Sequence, residues 1–259
     1  MKCKKRKINI IATIGPASAK ISMIDKLIKA GVDIFRFNLK YSTIEDHRQL
    51  IKNIRKSAQK QNQKTKILID LPNCTFSDGI DLACEEHVEY VALSYLKRAE
   101  QIVKFRQIAE KTKLSATIIA KIETREALNH FTDILKETDA LMIARGDLGK
   151  SIPIEQVPFV QKEILMECQK KDKKVIVATE MLLSMTSKKQ PTRAEVSDVA
   201  NAVLEGADFV MLSEETSIGK FPVEAVKIMN KIIYEAESWQ KLGHLHITSS
   251  KNKKFTFGA

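Results

Sequence analysis

Short apolar runs alternate with longer amphipathic stretches along almost the whole chain. The runs at 7–13, 33–38, 65–70, 90–95, 116–122, 140–144, 174–179 and 209–213 are bounded by polar turns, the pattern of buried parallel strands. Between them, 22–30, 43–60, 79–86, 99–111, 125–137, 158–170, 193–205 and 222–237 carry helical spacing. Gly31 reads as a helix stop and Thr43 as an N-cap. Eight strand–helix repeats predict an α/β protein, a single closed (β/α)8 TIM barrel over 1–240. An open doubly wound sheet is the alternative, but rarely needs so many regular repeats. No repeat of sequence is visible; the repetition is one of pattern. After Trp239 the chain turns polar and aperiodic, so 241–259 is expected to be a mobile tail.

Charge and cysteine change this picture little. A net charge of +11 favours anionic ligands. The lysines, however, are spread over helix faces, as at Lys52, Lys56, Lys60 and Lys64, without the interleaved aromatics that stack bases. A small phosphate-rich substrate is therefore expected rather than nucleic acid. Cys3, Cys74, Cys84 and Cys168 lack metal-ligand spacing and read as reduced thiols. His244 and His246 have no further ligands near them to make a metal site. No apolar run approaches the roughly 20 residues that span a bilayer, and the basic start followed by 8–14 does not read as a signal sequence. No membrane association and a cytoplasmic location are the expectations.

The chemistry gathers where strands end. Glu123 and Asp147 close the fifth and sixth runs, and α/β barrels place their reacting groups at C-terminal strand ends. Two carboxylates without Cys or His suit a hard ion, Mg²⁺ or Mn²⁺. Lys121 points into the same mouth, and 146–149 can turn backbone N–H groups toward an anion. Arg36, between two phenylalanines, is either a phosphate fork or an ion-pair partner at the rim. Thr179 either bonds nearby backbone or orients a reacting oxygen. A metal, a lysine and an anion cradle together point to phosphoryl or carboxylate chemistry.

The segments TIGPAS from Thr13, RFN from Arg36, KIE from Lys121, ARGDLG from Ala144 and ATEML from Ala178 closely resemble the pyruvate kinase family. So do PTRAE from Pro191, SDVANAV from Ser197 and GAD from Gly206, all in family order. The resemblance runs from about Lys7 to Glu237 and implies the same barrel. It implies Mg²⁺ on Glu123 and Asp147, with Lys121 stabilising the transferring phosphoryl group. Thr179 would lie beside the proton-transfer path, and Arg36, Asn38 and Lys40 near the nucleotide phosphates. Backbone amides around Arg145, Gly146 and Asp147 would hold the substrate carboxylate beside Thr179. ATP enters as co-substrate.

Departures from the family shape the expected substrate. Only ten residues separate Asp70 from Asp81, so the lid domain between the third strand and helix is missing. The family's C-terminal domain has no counterpart before the chain ends. An arginine clamp after the third strand is replaced by LPNCTF from Leu71. At the family's potassium position a serine becomes Lys40 and a threonine Leu71, so Lys40 is expected to supply an internal cation between Asn38 and Asp70, making K⁺ unnecessary. Glu180 and Glu214 add negative charge near the mouth. The leading expectation is a Mg²⁺-dependent kinase transferring phosphate from ATP to the hydroxyl of a hydroxy or sugar acid. The alternatives are a lid-free pyruvate kinase, a Mg²⁺-dependent 2-oxo-acid aldolase or lyase, and an inactive binding protein. A homodimer is expected through the faces that carry PTRAE and the helix after Asp147.

Overall fold

The computed structural model describes residues 6–242. Cys3, His244, His246 and nearly all of the expected tail lie outside them. The first half runs β1 (Asn9–Thr13), α1 (Ile21–Ala30), β2 (Ile34–Asn38), α2 (Ile44–Lys60), β3 (Lys66–Leu71), α3 (Ser77–Glu85), β4 (Tyr90–Leu93) and α4 (Glu100–Lys111). Next come β5 (Thr117–Ile122), α5 (Arg125–Asn129), α6 (Phe131–Glu137), β6 (Ala140–Ala144), α7 (Arg145–Ser151) and α8 (Val157–Lys170). The last stretch holds β7 (Lys174–Ala178), α9 (Arg193–Leu204), β8 (Phe209–Leu212), α10 (Glu214–Ser217) and α11 (Pro222–Lys241). All strands pair in parallel in chain order, and β8 closes on β1.

Alternation along each strand builds two cores. Ile10, Phe35, Ile67 and Leu141 face outward and join the belt between sheet and helices. Ile11, Ile34, Leu68, Ala92, Ile119 and Met142 face inward and plug the barrel. Two residues further along, the same inward parity presents Thr13, Arg36, Asp70, Ser94 and Lys121. A polar layer therefore sits directly on the apolar plug, at the C-terminal mouth. That placement follows from period alone.

The opposite end repeats one device four times. The residue just before each even-numbered strand is acidic, and its carboxylate accepts the second backbone N–H of the preceding odd strand. Asp33 takes Ile10 N–H at 2.7 Å, Glu89 takes Ile67 at 2.8 Å, Asp139 takes Ile118 at 2.8 Å and Asp208 takes Val175 at 3.0 Å. Each carboxylate also pairs with a cation, in order Arg6, Arg55, Arg106 and Lys174. These N–H groups lie where neighbouring strands are staggered, and an unpaired buried N–H would be costly.

Helix boundaries follow local chemistry. Gly31 ends α1 at φ 102°, a left-handed conformation open to glycine. Thr43 caps α2 and forms a capping box with Asp46. The segment expected as one helix over 125–137 is two, broken at His130, where Asn129 and His130 are weak helix formers. Residues 146–149, expected to turn backbone N–H groups toward an anion, lie inside the short helix α7. Between β3 and α3 only residues 72–76 intervene. Gly79 lets α3 settle there, since a Cβ on it would stand 2.6 Å from Leu71 and 2.7 Å from Leu39.

Candidate active site

At the mouth, four side chains share one ionic cluster. The Lys121 ammonium lies 3.1 Å from Asp70 Oδ2 and 2.8 Å from Glu123 Oε1, and donates to Ser94 Oγ at 2.8 Å. Arg36 donates to Asp70 Oδ2 through Nε at 2.9 Å and Nη2 at 2.7 Å. Its Nη1 donates to Thr13 Oγ1 at 3.0 Å, and Ser94 Oγ donates to Asp70 Oδ1 at 2.8 Å. All these groups are buried. Register explains the meeting: Asn38 pairs with Asp70 across β2–β3, and Asp70 with Ala92 across β3–β4, two residues before Ser94.

Burial alone would drive the Asp70 carboxyl toward its neutral form. Lys121, then Arg36 and Ser94, outweigh that effect and hold its pKa below the ordinary value. For Lys121, burial likewise opposes the charge, but Asp70 and Glu123 more than compensate and raise its pKa. Both groups stay ionised because each is the other's partner.

Glu123 is 1% exposed. Its Oε2 accepts the Tyr95 N–H at 2.6 Å, while Oε1, close to the ammonium, has no aligned hydrogen bond. A buried carboxylate oxygen left in this state suits a hard cation. Asp147, the expected second ligand, is 41% exposed at the side chain and pairs with Lys150 at 3.0 Å. Among the described residues no group of three His, Cys, Asp or Glu side chains could hold a metal. Two carboxylates nevertheless match what Mg²⁺ takes from a protein when substrate oxygens and water complete its shell. The residues fit the ion.

Around β6 and β7 the expected substrate groups hold one another. Thr179 Oγ1 accepts the Gly146 N–H at 2.7 Å and donates to the Ala178 carbonyl at 2.6 Å. The Gly146 amide, expected to hold a carboxylate, is therefore engaged by Thr179. Arg145 donates to the Thr179 carbonyl at 2.7 Å and to Asp198 Oδ1 at 2.7 Å. It ties the start of α7 to the end of β7 and to α9. Thr179 and Glu180 adopt φ of 71° and 56°, and Tyr95 54°, so left-handed backbone occurs at the mouth. For a β-branched threonine this conformation is strained, which marks the turn as over-determined by its neighbours.

One expectation is corrected. Lys40 does not stand between Asn38 and Asp70. Its side chain is exposed, Asn38 Oδ1 accepts the Lys40 backbone N–H at 3.2 Å, and Asp70 is taken by Arg36, Ser94 and Lys121. The reason is local: β2 ends at Asn38 and a turn follows, so strand parity no longer aims Lys40 inward. Arg36, expected near phosphate, pairs with Asp70, the other role open to it.

Ser94 and Glu215 carry more than sequence reading assigned them. Glu215 is fully buried, accepting Leu182 N–H at 2.9 Å and Ser213 N–H at 2.7 Å, and so ties the loops after β7 and β8. Burial raises its pKa despite those bonds. Ser94 was visible by parity as a strand-end hydroxyl. Glu215 had no signal beyond its place beside two other polar residues.

Comparison with known proteins agrees with this architecture. The family model described as pyruvate kinase, barrel domain, matches residues 5–76 and 68–226. A pyruvate kinase of Thermococcus litoralis is 32% identical over 341 residues, covering 93% of this chain and 72% of that protein. Pyruvate kinases of Staphylococcus epidermidis and Staphylococcus aureus are 31% identical over 337 residues, covering 91% of the chain and 58% of theirs. The chain thus spans little more than half the length of the staphylococcal relatives. Both alignments exceed the chain's 259 residues, so the relatives carry inserted sequence. The two matched segments meet at 68–76, on the β3–α3 junction.

Proposed function

The chain belongs to the pyruvate kinase family, and from that premise we propose that it transfers a phosphoryl group between phosphoenolpyruvate and a nucleoside diphosphate, without a lid. The observation that carries this reading is the buried Lys121 ammonium beside Glu123, one oxygen of which has no aligned hydrogen bond. Phosphoryl transfer asks for positioning and for charge neutralisation rather than covalent help. Bound Mg²⁺ would polarise phosphoryl oxygens and template the reactants. Lys121 neutralises charge that develops on the transferring group, and Asp70 with Ser94 keeps its ammonium aimed. Arg36 holds Asp70 in place. Thr179, through Gly146, fixes the start of α7, which carries Asp147. Phosphorus NMR of the protein with Mg²⁺, phosphoenolpyruvate and ADP tests the proposal: appearance of ATP supports it, and an unchanged spectrum sinks it.

A second reading is favoured by one feature. The connection 72–76 leaves the mouth without a covering domain, giving room for an acceptor bulkier than pyruvate. Under that reading phosphate passes from ATP to the hydroxyl of a hydroxy or sugar acid, whose carboxylate and adjacent oxygen present similar atoms. The same spectra with ATP and a panel of hydroxy acids separate the two readings.

Glu123 and Asp147 should share one divalent ion. Asp147→Ala removes a partly exposed carboxylate, so the fold should survive while Mn²⁺ affinity measured by calorimetry falls by about tenfold or more, the scale of a lost charged contact. Equal affinity in the variant would remove Asp147 from the site.

Independence from K⁺ is proposed on new grounds. Leu71 is buried and offers no side-chain oxygen, Lys40 is exposed, and both Asp70 oxygens are bonded. Equal rates in Na⁺, K⁺ and tetramethylammonium buffers are expected; strong K⁺ activation would overturn this.

Self-association is proposed through the α8–α9 face. Ile154 and Phe159 are 70% and 71% exposed there, and Gln161 of α8 reaches Glu205 just beyond α9. Light scattering should show a dimer that Phe159→Glu dissociates, and a monomeric unaltered protein would refute it. No helix among the described residues is long and apolar enough to cross a membrane.

A further inference from the structure

Two lysines stand against the two carboxylates proposed to hold metal. Glu123 Oε1 faces Lys121 at 2.8 Å, and Asp147 Oδ1 accepts from Lys150 at 3.0 Å. Two ammonium groups carry the charge of one divalent ion. Lys121 is buried and fixed, but Lys150 is 79% exposed at its side chain. It lies one helical turn beyond Asp147 on α7, so the two side chains share a face.

We propose that Lys150 is a second tethered cation of this site. It neutralises Asp147 while no divalent ion is bound, yields that carboxylate to the ion, and then holds a substrate oxyanion at the mouth. This rests on the metal reading above. The physical grounds are the pair's exposure and the side chain's nature. An exposed lysine–carboxylate pair is weak, so a divalent ion displaces it readily. A hydrated ammonium on a flexible four-carbon stem can exchange one oxyanion for another without a rigid geometry. Once released from Asp147, the ammonium remains within reach of the mouth because α7 starts directly at the end of β6.

The test uses the full chain, with Lys150→Met to remove the charge and Lys150→Arg to keep it. Mn²⁺ titration by calorimetry should show about two- to fivefold tighter binding to Lys150→Met, the worth of an exposed ion pair that no longer competes. Lys150→Arg should match the unaltered protein. With Mn²⁺ saturating, inorganic phosphate should bind about tenfold more weakly to Lys150→Met and be retained by Lys150→Arg. Unchanged Mn²⁺ affinity, or unchanged phosphate affinity, in Lys150→Met overturns the assignment while leaving the metal site standing. No Mn²⁺ uptake by the unaltered protein would overturn the metal reading and this inference with it.

Discussion

Replacing Lys121 by Met is expected to lower kcat by about 10² or more, with KM for phosphoenolpyruvate little changed. The ammonium acts on charge that grows as the phosphoryl group moves, so its loss is felt in the transition state rather than in binding. Its position supports this division. Asp70, Ser94 and Glu123 hold it from three sides, so it needs no substrate to be ordered. A hundredfold loss corresponds to about 2.7 kcal/mol, the scale of one removed electrostatic donor in a preorganised site. Steady-state kinetics of the purified variant decide the matter. A variant with normal kcat and only a raised KM would assign Lys121 to ground-state binding.

Asp70→Ala is expected to destabilise the fold by about 3–5 kcal/mol, because it strands two buried cations, Arg36 and Lys121. Urea unfolding should show the loss. Arg36→Met combined with Asp70→Ala should recover part of it, since one uncompensated charge is then gone. If Asp70→Ala loses less than about 1 kcal/mol, the range of an exposed pair, the cluster does not stabilise the barrel. The pH dependence has a definite sign. The Asp70 pKa is depressed on folding, so its contribution is present above the ordinary carboxylate pKa of about 3.9 and is lost as pH falls through the lower folded value. Lys121 is raised, so its contribution is complete below about pH 10.4 and fades only as pH rises through the folded value. The cluster therefore holds across the whole neutral range.

The barrel was legible because its signal is periodic. Eight apolar runs with turn residues between them leave few other architectures, and parity then carries Arg36, Asp70, Ser94 and Lys121 to one end. What period cannot say is which inward groups bond one another. Arg36 had two roles open, and only register across β2–β3 brings it onto Asp70. The expected place of Lys40 rests on the family's potassium position, whereas the turn after β2 leaves its side chain exposed. The Gly146 amide looked free because its partner, Thr179, lies 33 residues away on another strand. Two glycines in seven residues argue against a separate helix at α7, so its extent is not legible in the sequence. Four acids did hide a repeat. Asp33, Glu89, Asp139 and Asp208 each precede an even strand, a regularity too short to stand out beside the longer motifs.

That four-fold ring has a bearing on how such barrels can be recombined. Each carboxylate reaches back across one strand boundary only, from β2 to β1, β4 to β3, β6 to β5 and β8 to β7. A crossover junction placed after α2, after α4 or between β6 and β7 keeps every acid in the same parental segment as its amide, while the first two part Glu89 from Arg55 and Asp139 from Arg106. A junction one strand earlier or later divides an acid from the amide it was matched to. For the carboxylate–amide contacts the unit of exchange is accordingly the strand–helix pair taken twice, and the Arg55 and Arg106 ion pairs are the seams between such units.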